Sequence, residues 1–183
     1  MFALTGLLFI VLSWVAGLYL LVTWKGQHTM SISQHTASAK GASRLFAATL
    51  ILGGAGLYFW LITWFAPKLG LPGLFTALVT LTVVVQFIAA IVPDTDAWKS
   101  KLHRFAAYTM AALYLPLSWY ILNSHNLSIV TRLIGGVCLL YMITAVILFL
   151  IVKKARNKYL IFQSLYIIAF QLIILSAAYL PPV

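Results

Sequence analysis

Apolar residues along this chain gather into six stretches, roughly 2–24, 45–65, 71–92, 105–122, 127–152 and 159–180, and the segments between them hold most of the polar and charged positions. A helix needs about 20 mostly apolar residues to cross a bilayer. Each stretch is near that length. In lipid the backbone must satisfy its own hydrogen bonds, so the stretches are expected to be helices, and none shows the ten-residue alternation of a membrane barrel. The reading is all-α: a polytopic integral membrane protein, a six-helix transmembrane bundle, with residues 1–183 forming one domain because the spans leave no room for a second.

The connections differ in kind. Ala66-Pro67-Lys68-Leu69-Gly70 and Asn123-Ser124-His125-Asn126 are tight links of turn-forming residues, which makes spans two/three and four/five antiparallel hairpins. The first, third and fifth connections are more polar. Pro116 is expected to kink span four. There is no internal repeat, and the paired broken helices of an inverted-repeat transporter are absent. The first stretch has no Lys or Arg before it and is too long for the apolar core of a cleaved signal peptide, so it is expected to remain as a span.

Composition sharpens this. The chain is 63% hydrophobic and 8% charged, with a mean hydropathy of +1.04. Soluble domains are about 45–50% apolar and about 25% charged. A cytosolic enzyme, a secreted domain and a disordered regulator are all excluded. The lone Cys138 rules out a disulfide framework, a cysteine metal site and a CxxC redox pair.

The net charge of +10 reads as a topology signal. Short loops rich in Lys and Arg stay in the cytoplasm. Lys25, Lys40 and Arg44 flank the first loop, Lys99, Lys101 and Arg104 the third, and Lys153, Lys154, Arg156 and Lys158 form the fifth; Lys68 and Arg132 alone fall on the other side. The expectation is a multi-pass protein of the cytoplasmic (inner) membrane with both termini outside. Basic residues scattered over three short loops make no nucleic-acid motif, so no nucleic-acid partner is expected. Trp24, Trp60, Trp64, Trp98, Trp119, Tyr120, Tyr159 and Tyr179 fall near span ends, as in an interfacial aromatic belt.

Candidate chemistry is sparse. No Asp, Glu, Lys or His lies at the centre of a span, which disfavours proton- or ion-coupled carriers. The polar residues left in mid-span are the neutral amides Gln86, Gln163 and Gln171, the last two eight apart and expected on one helix face. Such amides bond across helices or contact a ligand. Gly53, Gly54, Gly56, Gly135 and Gly136 permit close helix approach. The polar constellation lies at the basic loops: Asp94, Asp96 and His103 around the third, with His28, Ser33 and His35 in the first. Asp94 or Asp96 can cap a short helix, and the group can recognise a headgroup or partner. Two carboxylates with imidazoles can also hold a divalent metal, though the spacing matches no ligand motif. Haem is a further option, but only His35 and His103 fall on the same side near spans. Lys153, Lys154, Arg156 and Lys158 form a basic run suited to anionic lipid headgroups.

Ser31-Ile32-Ser33 in the first loop, Val92-Pro93-Asp94-Thr95-Asp96 after span three and Leu102-His103 opening span four occur in an order that resembles a prokaryotic family of six-helix membrane proteins of unknown function, itself distantly similar to the Frag/DRAM group. The fifth loop departs from that pattern, with Ala155-Arg156-Asn157-Lys158 where a Gly- and Glu/Arg-containing motif is expected. The resemblance implies fold and membrane location, and no activity.

The functional expectation is a non-catalytic subunit that binds lipid or another membrane protein, with no resident cofactor. One rival is a small-molecule uptake or facilitator unit, similar in size and span count to the substrate-capture subunits of energy-coupling-factor transporters. Another is a surface metal or haem redox protein. Ser33, His35, Asp94, Asp96, His103, Gln163 and Gln171 are the residues nominated for ligand or partner binding.

Overall fold

The computed structural model describes residues 2–24, 29–37, 39–92, 97–152 and 157–180. Among these, helices dominate and no strand occurs: α1 (Phe2–Thr23), a short α2 (Ile32–Ala37), α3 (Lys40–Leu69), α4 (Gly73–Ile91), α5 (Ala97–Leu122), α6 (Ile129–Ile151) and α7 (Tyr159–Tyr179). All but α2 are long and apolar enough to cross a bilayer, and they coincide with the six apolar stretches. This is an all-α bundle of six such helices.

Two helices run past their apolar windows. α3 begins at Lys40 and α5 at Ala97, so Arg44, Lys99, Lys101 and Arg104 all sit on helical turns. Hydropathy sees only the lipid-buried part of a helix, whereas the backbone ladder continues for as long as the surface residues tolerate it. His103 therefore does not open the helix; it lies six residues inside α5. The first connection also holds more structure than a loop. Ser31 caps α2 with Gln34 three positions on: the Ser31 hydroxyl accepts the Gln34 N–H at 3.1 Å, and Gln34 Oε1 accepts the Ser31 N–H at 3.1 Å. This reciprocal capping box satisfies two orphan donors at once.

The link between α3 and α4 is shorter than its sequence suggests, because Ala66–Leu69 remain helical. Gly70 (φ 63°) ends the helix; its N–H donates to the Pro67 carbonyl and Leu71 N–H donates to that of Ala66. This left-handed cap is a conformation that glycine adopts without strain, and Pro72 then blocks continuation. Within α3 two π-helical turns, Thr49–Gly53 and Leu61–Phe65, widen the helix. The Leu50 carbonyl there accepts from the Gln86 side chain of α4 at 2.7 Å. Pro116 lies inside α5, which is assigned as helix throughout. Nearby, the Tyr166 hydroxyl of α7 donates to the Ala111 carbonyl at 2.7 Å.

Neighbour contacts run α1–α3–α4–α5–α7 and back to α1, a ring of five, with α6 packed outside against α5 and α7. The main packed core lies toward the end of the bundle away from the basic loops, where Ile10, Trp60, Phe65, Phe75, Leu117, Ile121, Met142, Ile173 and Ile174 are almost wholly buried. Trp60 is 1% exposed and stacks on Trp64 at 5.2 Å. It is a core residue, in contrast to the belt position its place near a span end suggests. Trp98 and Trp119, at 64% and 61% exposed, do suit a headgroup belt. α1 and α3 interlock reciprocally: Gly6 faces the Trp60 ring and Gly56 faces the Phe9 ring, each so close that an added Cβ would stand under 3 Å from ring carbons. Gly53 and Gly136, also expected at close approaches, face open space.

Lys68 and Arg132, the two cations away from the basic loops, both serve helix ends. The Lys68 ammonium donates to the Ala178 carbonyl in the last turn of α7 and lies over the Trp64 ring at 4.7 Å. Arg132 donates to the Leu122 and Ser124 carbonyls at the end of α5, at 3.2 and 2.8 Å. Cations are favoured where carbonyls lack partners and the helix dipole is negative.

Candidate functional site

The basic half of the bundle is less densely packed, with a small buried cluster of Val85, Ala89 and Ala106, and two cavities extend into the bundle beside it. The larger has a volume of about 350 Å³ and is lined by all five helices of the ring, with one side open. Its α1 wall runs from Phe9 to Leu21, roughly 18 Å at about 1.5 Å per residue. That is over half the depth of a hydrocarbon core of about 30 Å. The space is long and lies parallel to the helices.

Its wall is almost entirely carbon, because most of its polar groups bond to one another or to the backbone. Gln171 Oε1 accepts from Trp14 Nε1, and its Nε2 donates to the Ser13 hydroxyl at 3.3 Å. Gln86 is committed to Leu50 at 2.7 Å, Thr49 to the Leu45 carbonyl at 2.8 Å and Thr82 to that of Leu78 at 2.7 Å. Tyr114 presents a ring stacked on Phe170 at 4.0 Å. Buried polar groups satisfied in this way leave little for a hydrated solute to exchange its water shell for.

The smaller cavity, about 180 Å³, lies toward the basic end and is polar. Ser31, Ser33 and Gln34 line it from α2, His103, Arg104 and Tyr108 from α5, Phe149 from α6, and Tyr159 and Gln163 from α7. The Ser31 and Ser33 hydroxyls bond each other at 2.8 Å, and Gln163 Oε1 accepts the Ile32 N–H at 3.0 Å, tying α2 to α7 across 131 residues of chain. His103 is 4% exposed, with Nδ1 at 2.8 Å from the Val92 carbonyl. A carbonyl can only accept, so Nδ1 carries the hydrogen and Nε2 is left for other partners.

Of the nominated residues, Ser33, His103 and Gln163 come together on this one cavity. His35 is buried on α2 at 3% exposed and does not line it. Gln171 belongs to the apolar cavity. The eight-residue spacing that suggested one shared face with Gln163 separates the two amides along α7, and each serves a different space. Asp94, Asp96, Lys153, Lys154 and Arg156, together with His28, lie outside the described residues; Lys158 is exposed at the start of α7. Among the described residues no three His, Cys, Asp or Glu side chains gather. Sequence reasoning missed Ser31, Gln34, Arg104 and Tyr108. The Ser31-x-x-Gln34 spacing, a capping-box signature, was the signal available for α2.

The chain matches no protein-family model, and neither characterised proteins nor solved structures provide a match. The class the fold defines is thus a multi-pass helical membrane protein with two adjoining pockets, and its function is read from their geometry.

Proposed function

We propose that this protein is a non-catalytic membrane protein that holds the hydrocarbon chain of a lipid-like amphiphile inside its helix bundle. The observation that carries this reading is the apolar cavity of about 350 Å³ between α1, α3, α4, α5 and α7. Its volume falls in the range of about 300–1,000 Å³ typical of ligand sites, and its length suits a chain better than a compact solute. Left empty, such a space deprives its lining atoms of dispersion partners. An acyl or isoprenoid chain supplies those partners without dehydrating any polar group.

The uptake alternative receives less support. A polar solute needs convergent free donors and acceptors, and Gln171, Thr49 and Thr82 are already engaged, as is the amide nitrogen of Gln86. The orientation that fits this reading is the inner membrane with both termini outside, so that the polar cavity opens toward the cytoplasmic leaflet. The bias of Lys and Arg to one end of the bundle supports it, and the basic run Lys153, Lys154, Arg156 and Lys158 would then meet anionic headgroups.

The test is purification of the full chain from its native membrane in mild detergent, followed by extraction and mass spectrometry of what remains bound. A chain-bearing molecule near one per protein is expected, displaced when the cavity is filled by substitution at Gly53. Protein that retains no amphiphile above the detergent background, or only a tightly bound second polypeptide, overturns the reading in favour of an assembly role.

A further inference from the structure

The two cavities lie back to back. Ile32 lines the apolar one while its neighbours Ser31 and Ser33 line the polar one, and Ser164 and Gln163 divide in the same way on α7. They adjoin at the hydrogen bond from the Ile32 N–H to Gln163 Oε1, and neither space is closed off, so one amphiphile can reach both. Building on the chain-binding reading, we propose that the polar cavity is a phosphate site, so that the amphiphile held by this protein is a phospholipid or lipid phosphate whose headgroup sits against Arg104, His103, Tyr108 and Gln163.

The chemistry of the wall selects an acceptor-rich anion. Gln163 has its oxygen occupied by Ile32, which leaves the two N–H donors of its amide. Arg104 uses Nε on the Ser100 carbonyl at 3.2 Å, and among the described residues its terminal nitrogens meet no acceptor. A guanidinium so placed presents the paired donors that match phosphate oxygens. Tyr108 adds a hydroxyl at a half-exposed position. His103 is almost wholly buried, its Nδ1–H fixed on Val92, so Nε2 is the ring atom still able to bond a ligand. Nε2 can accept from a phosphate O–H or, as imidazolium, donate to a phosphate oxygen. Its 180 Å³ holds about six water-sized groups at about 30 Å³ each, enough to seat a phosphate.

Lipid phosphate and free phosphate share this chemistry, and the experiment separates them. The purified full-length chain is equilibrated in detergent with dioleoyl phosphatidic acid, with dioleoylglycerol (the same chains without phosphate), or with sodium phosphate alone. Retained lipid and thermal melting are measured for the native chain and for Arg104→Gln, Arg104→Lys and Tyr108→Phe. The expected result is at least tenfold preference for phosphatidic acid over dioleoylglycerol, lost in Arg104→Gln, partly kept in Arg104→Lys, and reduced less in Tyr108→Phe. A charge-assisted hydrogen bond accounts for an effect of that order. A purely structural role for Arg104 would instead lower melting and weaken both lipids alike, which would overturn the assignment. Equal retention of the two lipids, unaffected by Arg104→Gln, would also overturn it while leaving the chain-binding reading intact. If sodium phosphate stabilises the native chain but not Arg104→Gln while the lipids are bound equally, the site belongs to the free anion and the headgroup assignment fails. If neither lipid binds, the chain-binding reading itself falls.

Discussion

Two adjacent glycines of α3 offer a sharp separation of cavity function from fold stability. Gly53 lines the apolar cavity, and a Cβ built there meets nothing within 4 Å. Gly54 also lines it, but its Cβ would stand 2.4 Å from Gln86 Nε2 and 3.1 Å from Gln86 Cδ. Gly53→Leu adds four carbons, about 120 Å³ if each takes about the 30 Å³ of a water molecule, or roughly a third of the space. A chain forced to share what remains meets an overpacking penalty of about 1–3 kcal/mol, a loss of roughly tenfold or more in affinity. The protein itself gains, since leucine is favoured over glycine in a helix by about 0.5–1 kcal/mol. Gly54→Leu has no such freedom: it displaces Gln86 from the Leu50 carbonyl and leaves a partly buried amide and a carbonyl unmatched, at about 1 kcal/mol or more. Both variants are purified in mild detergent and compared for co-purified amphiphile per protein and for melting temperature. Gly53→Leu is expected to melt at or above the native temperature with its lipid largely gone, and Gly54→Leu to melt lower. Native lipid retention in Gly53→Leu would refute the idea that this cavity holds the chain. Equal melting of the two variants would refute the geometry that distinguishes them.

Other perturbations follow from the same packing. Gly56→Ala places a methyl group about 2.1 Å from Phe9 Cζ, so melting should fall by the equivalent of about 1–3 kcal/mol, and Phe9→Val in the same chain should restore part of it. Gln171→Leu removes the acceptor of Trp14 and the donor to Ser13. A membrane-buried hydrogen bond averages about 0.6 and reaches about 1.7 kcal/mol, so a small drop in melting temperature and a blue shift in tryptophan emission are expected. Orientation is testable with an impermeant thiol reagent in intact cells, in a Cys138→Ala background. His125 and Asn157 are both exposed, at opposite ends of the bundle. Cysteine at His125 should label and cysteine at Asn157 should not; the reverse pattern places the basic loops outside. Ser124 is a poor choice for this purpose, because it is 6% exposed and its hydroxyl donates to the Leu69 carbonyl.

The nominated site residues divide according to how polarity arises along a membrane-spanning chain. Ser33 and His103 stood out as polar residues near the ends of apolar runs and Gln163 as a mid-span amide, and the structure brings all three onto one cavity. Arg104 and Lys158 were visible only as charge, since a basic residue beside a span reads first as a topology signal whether or not it also lines a cavity. Gln171 was visible as a mid-span amide, but its partners Trp14 and Ser13 lie 157 and 158 positions away in sequence, and no local pattern connects them. His35 was nominated from a stretch taken to be a loop; the capping box that makes it helical instead turns it into the buried interior of α2.

Length and hydropathy determined the six helices long and apolar enough to cross a membrane, because excluding backbone and charge from hydrocarbon leaves a chain of this composition little other arrangement. The same uniform apolarity erased any sign of which helix faces turn inward: a lipid tail and a leucine are nearly equivalent neighbours, so burial in the bundle and exposure to the bilayer select the same residues. Only the tertiary structure decided that α6 stands outside a ring of five, that Trp60 and Phe9 fill the notches at Gly6 and Gly56, and that an oily space and a polar one adjoin at the hydrogen bond between Ile32 and Gln163. Those outcomes depend on shape and on hydrogen bonds between residues far apart in the chain, and pattern along the chain carries neither.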